Sequence, residues 1–272
     1  MSRKIVVVGG VAGGASVAAR LRRLSEEDEI IMVERGEYIF FANCGLPYYI
    51  GGVITERQKL LVQTVERMSK RFNLDIRVLS EVVKINKEEK TITIKNVIRV
   101  LSEVVKINKE EKTITIKNVT TNETYNEAYD VLILSPGAKP IVPSIPGIEE
   151  AKALFTLRNV PDTDRIKAYI YEKKPLHATV IGGGFIGVEM VENLRERGIE
   201  VTLVEMANQV MPPIDYEMAA YVREHMKNHD VEFVFEDGVD ALEENVAVVR
   251  FKKWLIYTNR YAYFSNWCTT RE

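Results

Sequence analysis

The chain has 272 residues, 46 % of them hydrophobic and 28 % charged, and its net charge at pH 7 is −2. This composition is typical of a globular protein with one or two domains, and the near-neutral charge favours neither a nucleic acid nor a membrane as a partner. Two cysteines exclude a disulfide scaffold and fit a reducing compartment. No apolar run has the length of a signal peptide or a membrane span, so we expect a cytoplasmic protein, and we predict no metal site.

The first motif is a strand, a glycine-rich turn and a helix. Residues 5–8 form a β-branched run typical of a buried parallel strand, and residues 15–24 carry apolar side chains at helical spacing. The turn between them has glycines on both sides of Val11, which occupies the middle glycine position of a dinucleotide-binding fingerprint. Glu34 ends the next predicted strand, about 20 residues past the glycines, where a carboxylate binds a ribose hydroxyl.

A second fingerprint follows a predicted strand at 178–181 and has all three of its glycines, at positions 182, 184 and 187. A helix is predicted at 188–197 and a strand at 201–204, which leads to Glu205. No arginine that could bind a 2′-phosphate follows Glu205, so the sequence favours NADH over NADPH.

Cys44 lies in the segment FANCGLPYY, residues 41–49, between small and turn-forming neighbours. A single cysteine in a reducing compartment is often a buried structural residue. Two dinucleotide motifs around one isolated thiol favour another interpretation, in which electrons pass from nicotinamide to flavin to sulfur. We predict that Cys44, and not Cys268, is the functional thiol.

The middle of the chain contains an exact repeat. A polar helix is predicted at 55–72, and the segment 76–97 then recurs letter for letter as 98–119. Each copy predicts a hairpin with a Lys-Glu-Glu-Lys turn, and perfect identity indicates a recent tandem duplication. We expect one copy to be surplus, either looped out or added to a sheet edge. A buried strand is predicted from residue 130, before Pro136 and Gly137.

Residues 254–272 hold both tryptophans and follow neither a strand nor a helix period. Codons for residues 260–272 can be chosen so that the reading frame that starts one base later encodes Asp-Met-Leu-Ile-Leu-Ala-Ile-Gly-Val-Gln-Pro-Glu. The sequence in this shifted frame has the pattern of residues 130–140, which is an aspartate, a buried strand, a glycine and then a proline. We therefore predict that the tail is a frameshift product and that the second nucleotide-binding domain is incomplete.

Several segments together resemble the coenzyme A-disulfide reductases, which are single-cysteine members of the FAD-dependent pyridine nucleotide-disulfide oxidoreductases. The segments are VVVGGVAGGASVAARLRR, FANCGLPYYIGG, DVLILSPGAKP, FTLRN and VIGGGFIGVEMVENL. The resemblance implies that Cys44 is both nucleophile and redox centre. It also implies an FAD site formed by Gly9, Gly10, Val11, Ala12, Gly13, Gly14, Glu34, Pro136 and Gly137. The implied NAD(P)H site consists of Gly182, Gly184, Phe185, Ile186, Gly187 and Glu205.

The resemblance further implies a coenzyme A site lined by Ser16, Arg20, Arg23, Phe40 and Asn43, although this family usually has serine at position 40. From the residues alone, Arg20 and Arg23 are also compatible with a solvated helix face. The implied substrate is coenzyme A disulfide.

The implied fold is α/β, with two Rossmann-like domains of three-layer ββα architecture. We expect an FAD-binding domain at 1–150, which includes the duplicated hairpin, an incomplete NAD(P)H-binding domain at 151–253 and the aberrant tail at 254–272. Members of the family are longer homodimers with a dimerisation domain, which we do not find here, so we expect a truncated chain with little turnover. Two alternatives stay open: a single-cysteine NADH oxidase or persulfide reductase, and an inactive fragment.

Overall fold

The computed structural model describes residues 2–96, 104–108, 113–116, 125–243, 248–252, 257–258, 262–264 and 268–270. The chain divides into two compact units. The first unit comprises Met1–Phe41 and Leu61–Gly137, and the second comprises Ala42–Leu60 and Ala138–Glu272. This division differs from the predicted boundary at residue 150, because the Cys44 segment and the residues after Gly137 group with the second unit.

The helices of the described residues are α1 (Ala12–Leu24), α2 (Gly45–Gly51), α3 (Val65–Phe72), α4 (Val160–Lys173), α5 (Phe185–Arg195) and α6 (Tyr216–Lys227), with a short 3-10 helix at Arg57–Leu60. The first nine strands are β1 (Lys4–Val8), β2 (Glu29–Val33), β3 (Asp75–Arg77), β4 (Ser80–Asn86), β5 (Thr91–Asn96), β6 (Val104–Asn108), β7 (Thr113–Ile116), β8 (Tyr125–Ala128) and β9 (Val131–Leu134). The later strands are β10 (Ala138–Pro140), β11 (Leu154–Thr156), β12 (His177–Ile181), β13 (Glu200–Glu205), β14 (Val231–Phe235), β15 (Val239–Glu243), β16 (Val248–Phe251), β17 (Tyr257–Thr258), β18 (Ala262–Phe264) and β19 (Cys268–Thr270).

The first unit is built on a parallel sheet in the order β3-β2-β1-β9. Side chains of a strand alternate between the two faces of its sheet. Val7 and Met32 pack with α1 and α3 on one face, whereas Val6 and Ile31 pack on the antiparallel sheet β4-β5-β8 on the other. The predicted three-layer ββα architecture is therefore confirmed in this unit.

The second unit repeats this plan around the parallel sheet β11-β18-β12-β13-β14. Helix α5 connects β12 to β13 and packs on both strands. The antiparallel sheet β15-β16-β17 contributes Leu242, Val249 and Phe251 to a buried cluster with Val204 of β13. The two dinucleotide-type folds predicted from the sequence are thus both present.

The two copies of the repeat form hairpins, as predicted, but they have different neighbours. The hairpin β4-β5 of the first copy joins β8 in a three-stranded sheet. Among the described residues, the hairpin β6-β7 of the second copy forms a two-stranded sheet of its own.

Four predicted elements need correction. Residues 55–72 are not one helix, because Thr64 Oγ1 accepts a hydrogen bond from Arg67 N (3.3 Å) and caps a new helix there. Strand β9 is partly exposed rather than buried, since it lies at the edge of its sheet. Helices α1 and α5 each begin three residues earlier than predicted, because the last glycine of each fingerprint lies in the first helical turn.

The tail also differs from its sequence pattern, which predicts no regular element. Strand β18 pairs in parallel with both β11 and β12, with Tyr263 opposite Phe155 and Val180. Strand β19 pairs with β10 in antiparallel orientation. Among the described residues, no helix is both long and apolar enough to cross a membrane.

Candidate functional site

The glycine-rich turn after β1 brings the chain directly into α1. Gly9 has φ +96°, a left-handed conformation that favours glycine, and its N–H donates to Val33 O (2.8 Å). A Cβ atom on Gly14 would overlap Gly9 O. Glycine at position 14 therefore allows the first turn of α1 to approach the end of β1, as a dinucleotide-binding turn requires.

Glu34 stands directly beyond β2, beside this turn. Its Oε2 accepts from Gly10 N (2.6 Å), and its Oε1 accepts from Gly36 N (2.6 Å). Each carboxylate oxygen has a further lone pair that can accept from a ribose hydroxyl. The two backbone donors hold the carboxylate in place without consuming its capacity to bind a sugar.

The second unit has the same arrangement. Gly182 has φ +103°, and its N–H donates to Val204 O (2.7 Å). Glu205 accepts from Gly183 N at Oε2 (2.7 Å) and from Ala207 N at Oε1 (2.8 Å). The two predicted ribose-binding carboxylates are thus held by equivalent backbone donors in the two units.

This equivalence explains why Val11 is tolerated at the middle glycine position. Val11 precedes α1 as its N-cap, and Gly184 precedes α5 in the same way. A Cβ atom built on Gly184 meets no atom within 4 Å. The position therefore has room for a side chain, and the protein itself does not require glycine there.

Phe40 also has an equivalent, which is Met211. Phe40 N donates to Gly10 O (3.0 Å), and Met211 N donates to Gly183 O (2.6 Å), with positive φ at both residues (38° and 48°). The side chain of Phe40 packs against the core cluster of the first unit. The backbone N–H at this position therefore stabilises the glycine turn by a hydrogen bond. The contact of Phe40 with the substrate stays a prediction.

The segment after β9 lies against the first glycine turn. Cβ atoms on Gly9 and Gly13 would overlap the Ser135 backbone oxygen and crowd its hydroxyl, respectively. Ser135 N donates to Val8 O (2.7 Å). Pro136 and Gly137 follow directly and are exposed, so the structure brings the two parts of the predicted FAD site together.

Cys44 is exposed and immediately precedes α2 in the second unit. The interpretation of Cys44 as a buried structural cysteine is therefore wrong. Asn43 beside it is also exposed, whereas Leu46 and Ile50 of α2 are buried. The helix thus anchors the segment by one face and leaves the thiol accessible to a reagent or substrate.

Side chains of the second unit hold the C-terminal end of α2. Lys167 Nζ of α4 donates to Tyr49 O (2.8 Å) and lies over the Tyr49 ring, 3.4 Å from its centroid. Arg197, just beyond α5, donates from Nε to Ile50 O (2.8 Å). Cations near the last carbonyls of a helix are favourable. Burial lowers the pKa of Lys167, and the nearby Arg197 lowers it further.

Helix α5 also places two carboxylates beside α2. The Glu192 carboxylate raises the pKa of the Tyr48 phenol, and burial and the Glu189 carboxylate add to this effect. Burial raises the pKa of Glu189 as well. The α2 segment therefore lies beside the helix that begins at the second glycine turn. Sequence reasoning did not find these residues, because nothing in their spacing relates them to Cys44.

The predicted coenzyme A residues are distributed over both units. Ser16, Arg20 and Arg23 are exposed at i, i+4 and i+7 on one face of α1 in the first unit. Arg23 Nε donates to Ala19 O (3.2 Å). Asn43 belongs to the second unit with Cys44. Of the residues predicted for the second nucleotide site, Phe185 is exposed and Ile186 is half-buried at the start of α5, close to Gly187.

Comparison with known proteins agrees with this geometry. A family model described as pyridine nucleotide-disulphide oxidoreductase matches residues 3–255. A coenzyme A disulfide reductase of Staphylococcus aureus (strain JH9) is 37 % identical over 242 residues, which cover 89 % of this chain and 49 % of the relative. The chain spans about half the length of the curated relatives it matches.

Two solved structures are also similar. The structure of reduced Bacillus anthracis CoADR-RHD is 83 % identical, with a TM-score of 0.88, over 98 % of this chain and 44 % of that chain. An NAD-dependent persulfide reductase from A. fulgidus is 29 % identical, with a TM-score of 0.82, over 97 % of this chain and 45 % of that chain. The predicted family is thereby confirmed, and the chain belongs to the pyridine nucleotide-disulphide oxidoreductase family.

Proposed function

We propose that this chain provides the two nucleotide sites and the reactive thiol of an NADH-dependent reductase of coenzyme A disulfide. The observation that carries the proposal is the pair of equivalent carboxylates, Glu34 and Glu205, each held by a glycine turn in a chain whose Cys44 thiol is exposed. The similarity to coenzyme A disulfide reductases supports the choice of substrate. A reducing compartment such as the cytoplasm suits this chemistry.

The first unit would hold FAD. Glu34 would accept hydrogen bonds from the adenosine ribose, and the exposed start of α1, at Ala12 and Gly13, would face the pyrophosphate. Pro136 and Gly137 would border the same site. Bound FAD would supply the redox chemistry, relaying the two electrons of NADH to sulfur.

The second unit would hold NADH by the same physical means. Glu205 is buried, and the residues that follow it, Met206 and Ala207, provide no cation for a 2′-phosphate. A carboxylate at this point accepts from a ribose hydroxyl and repels a phosphate. The donor set therefore favours NADH over NADPH.

Cys44 would act as the nucleophile. Its thiolate attacks one sulfur of coenzyme A disulfide, a bond forms between the Cys44 sulfur and one coenzyme A, and the other coenzyme A leaves as a thiolate. Two electrons and a proton then release the second coenzyme A as a thiol and restore Cys44. Arg20 and Arg23 would bind phosphate groups of the substrate, while Ser16 and Asn43 would donate hydrogen bonds to it.

The test uses the purified full chain, reconstituted with FAD, and measures thiol release from coenzyme A disulfide with NADH or NADPH as reductant. We expect NADH-dependent release that requires Cys44 and is slower with NADPH. Rapid NADH oxidation with oxygen alone, and no thiol release, would instead support an NADH oxidase. Consumption of a persulfide but not of coenzyme A disulfide would support a persulfide reductase. Absence of flavin binding under all conditions would contradict the proposal for this chain.

A further inference from the structure

The two copies of the repeat form the same hairpin. Strand β4 pairs with β5 in the first copy, and β6 pairs with β7 in the same register in the second copy. Both pairs contain a register shift at the same place, after Val82 in the first copy and after Val104 in the second. The described strands of the two copies therefore pair in the same way. Local sequence alone does not decide which hairpin joins the rest of the fold.

Within the described part of the first unit, the place that accepts such a hairpin lies beside β8. Strand β8 pairs with β5, so that Ile94 lies opposite Tyr125. Ile92 and Ile94 are fully buried in a cluster with Val6, Ile31 and Val33 of the parallel sheet. The hairpin beside β8 is therefore part of the core, and this place is occupied by the first copy.

We propose that the place beside β8 is a binding site for which the two copies compete, so that the chain exchanges between two folded arrangements. In the second arrangement, residues 98–119 take the place of residues 76–97. Ile114 and Ile116 then fill the positions of Ile92 and Ile94, and residues 76–97 lie outside the sheet. Because the copies are identical, every side chain within the exchanged segment is the same in both arrangements.

The two arrangements differ only where the repeat meets the rest of the chain. Asp75 precedes the first copy and forms an ion pair with Arg77 (2.6 Å), whereas Val97 precedes the second copy. The Asp75 carboxylate is about half exposed, and such pairs contribute little to stability. Either arrangement leaves one segment of equal length outside the core, and the entropy of closing a flexible loop depends on its length, and only slowly. Neither arrangement therefore has a large advantage.

The first experiment places a carboxylate in one copy at a time. An aspartate at position 94 or 116 cannot occupy the core site, so each variant is restricted to one arrangement. Exchange predicts that Ile94→Asp and Ile116→Asp each raise the unfolding equilibrium constant only about two-fold, because each removes one of two comparable states. In the double variant neither copy can occupy the core site, so its unfolding equilibrium constant should increase by roughly a hundredfold or more.

Two reference chains complete this experiment. Deleting either copy yields the same shortened sequence, and in that chain Ile94→Asp should be as damaging as the double variant. Lys87→Asp, in the exposed hairpin turn, should leave stability unchanged. A large loss of stability with Ile94→Asp and none with Ile116→Asp would overturn the proposal, because only the first copy would then occupy the place beside β8. Stability of the single variants that rises with protein concentration would show exchange between molecules and would also overturn it.

A crosslink reports the two arrangements directly. Thr93 lies opposite Asn126 in the β5-β8 pair. Directly opposed residues of antiparallel strands are in general close enough for a disulfide. In a Cys44→Ser, Cys268→Ser background, Thr93→Cys with Asn126→Cys should form a disulfide on mild oxidation. Exchange requires that Thr115→Cys with Asn126→Cys also forms one in comparable yield within single chains. Failure of the second pair, with success of the first, would overturn the proposal even if the stability measurements could not be completed.

Discussion

Gly51 lies against Asn193 where α2 packs on α5, so closely that a Cβ atom on Gly51 would overlap the Asn193 side-chain oxygen. Asn193 is buried, and its Nδ2 donates to Glu189 O (2.8 Å) within α5. Its Oδ1 has no hydrogen-bond partner among the described residues. The helix that follows Cys44 is therefore seated on the helix that follows the second glycine turn.

We predict that Gly51→Ala destabilises the protein by roughly 1–3 kcal/mol, because the added methyl group forces the two helices apart. An alanine in a helix is otherwise more favourable than glycine by about 1 kcal/mol. A loss of stability would therefore identify the overlap with Asn193 as its cause. Urea unfolding gives the free energy, and the rate of Cys44 alkylation reports whether the segment around the thiol has moved.

Asn193→Ala provides the matched partner for this prediction. In that background the overlap with Oδ1 is removed, while the Cβ atom of residue 193 still lies 2.8 Å from the added methyl group, so the cost of Gly51→Ala should shrink without vanishing. Equal costs of Gly51→Ala in both backgrounds would show that the two side chains do not interact in the way the structure indicates.

Much of the nucleotide-binding plan could be predicted from sequence because it depends on local patterns. The β-branched run 5–8, the glycines that follow it and Glu34 are close in the chain, and each has one physical role. The hairpins of the repeat follow from alternating threonine and isoleucine around a polar turn.

The remaining features depend on packing between distant residues. The sequence around Gly51 does not reveal that Asn193 will meet it, so grouping Ala42–Leu60 with the second unit could not be predicted. Ser135 is another example, since its contact with the first glycine turn arises only when β9 pairs with β1. The inner strand Ala262–Phe264 was missed because three residues are too few to show a period.

Asp28 should determine part of the acid stability of the first unit. Arg3 donates from Nη2 to Asp28 Oδ2 (2.6 Å) and from its backbone N to Oδ1 (3.0 Å), which lowers the pKa of Asp28 from 3.8 to about 2. Because the pKa is lower in the folded state, the ionised carboxylate stabilises the protein at pH values above the unfolded-state pKa of 3.8. This stabilisation is lost as the pH falls through the folded-state pKa of about 2. Asp28→Asn should therefore reduce stability near neutral pH. The difference in stability between this variant and the parent should shrink below about pH 4.

Urea midpoints measured from about pH 2 to pH 6 check this prediction. Glu37→Gln, which removes an exposed carboxylate of the same unit, serves as the control for the loss of one negative charge. A parent and an Asp28→Asn variant that stay separated by the same amount down to the lowest pH would contradict the assigned pKa.

Cys44 should account for the thiol chemistry without any contribution from Cys268. We expect the reduced chain, mixed with coenzyme A disulfide, to gain one coenzyme A by mass spectrometry, because the exposed Cys44 thiol can exchange with the disulfide. Cys268→Ser should gain the same adduct and Cys44→Ser should gain none. An adduct that persists in Cys44→Ser would show that the reactive thiol has been misassigned. This measurement requires neither flavin nor turnover.

The final prediction separates the two nucleotide sites by their equivalent carboxylates. Glu205→Gln keeps an oxygen that can accept from Gly183 N but removes the negative charge beside the ribose. A charged hydrogen bond contributes about 1.5–3 kcal/mol, so the Kd for NADH should rise roughly ten- to a hundredfold. NADPH binding should weaken less, or even strengthen, because the 2′-phosphate no longer faces a carboxylate. Glu34→Gln is the matched control: it should leave the Kd for NADH unchanged and reduce the amount of FAD retained. Titration of nicotinamide fluorescence, together with the flavin content of each variant, distinguishes these outcomes. If Glu34→Gln weakened NADH while Glu205→Gln released flavin, the assignment of the two units to their nucleotides would have to be reversed.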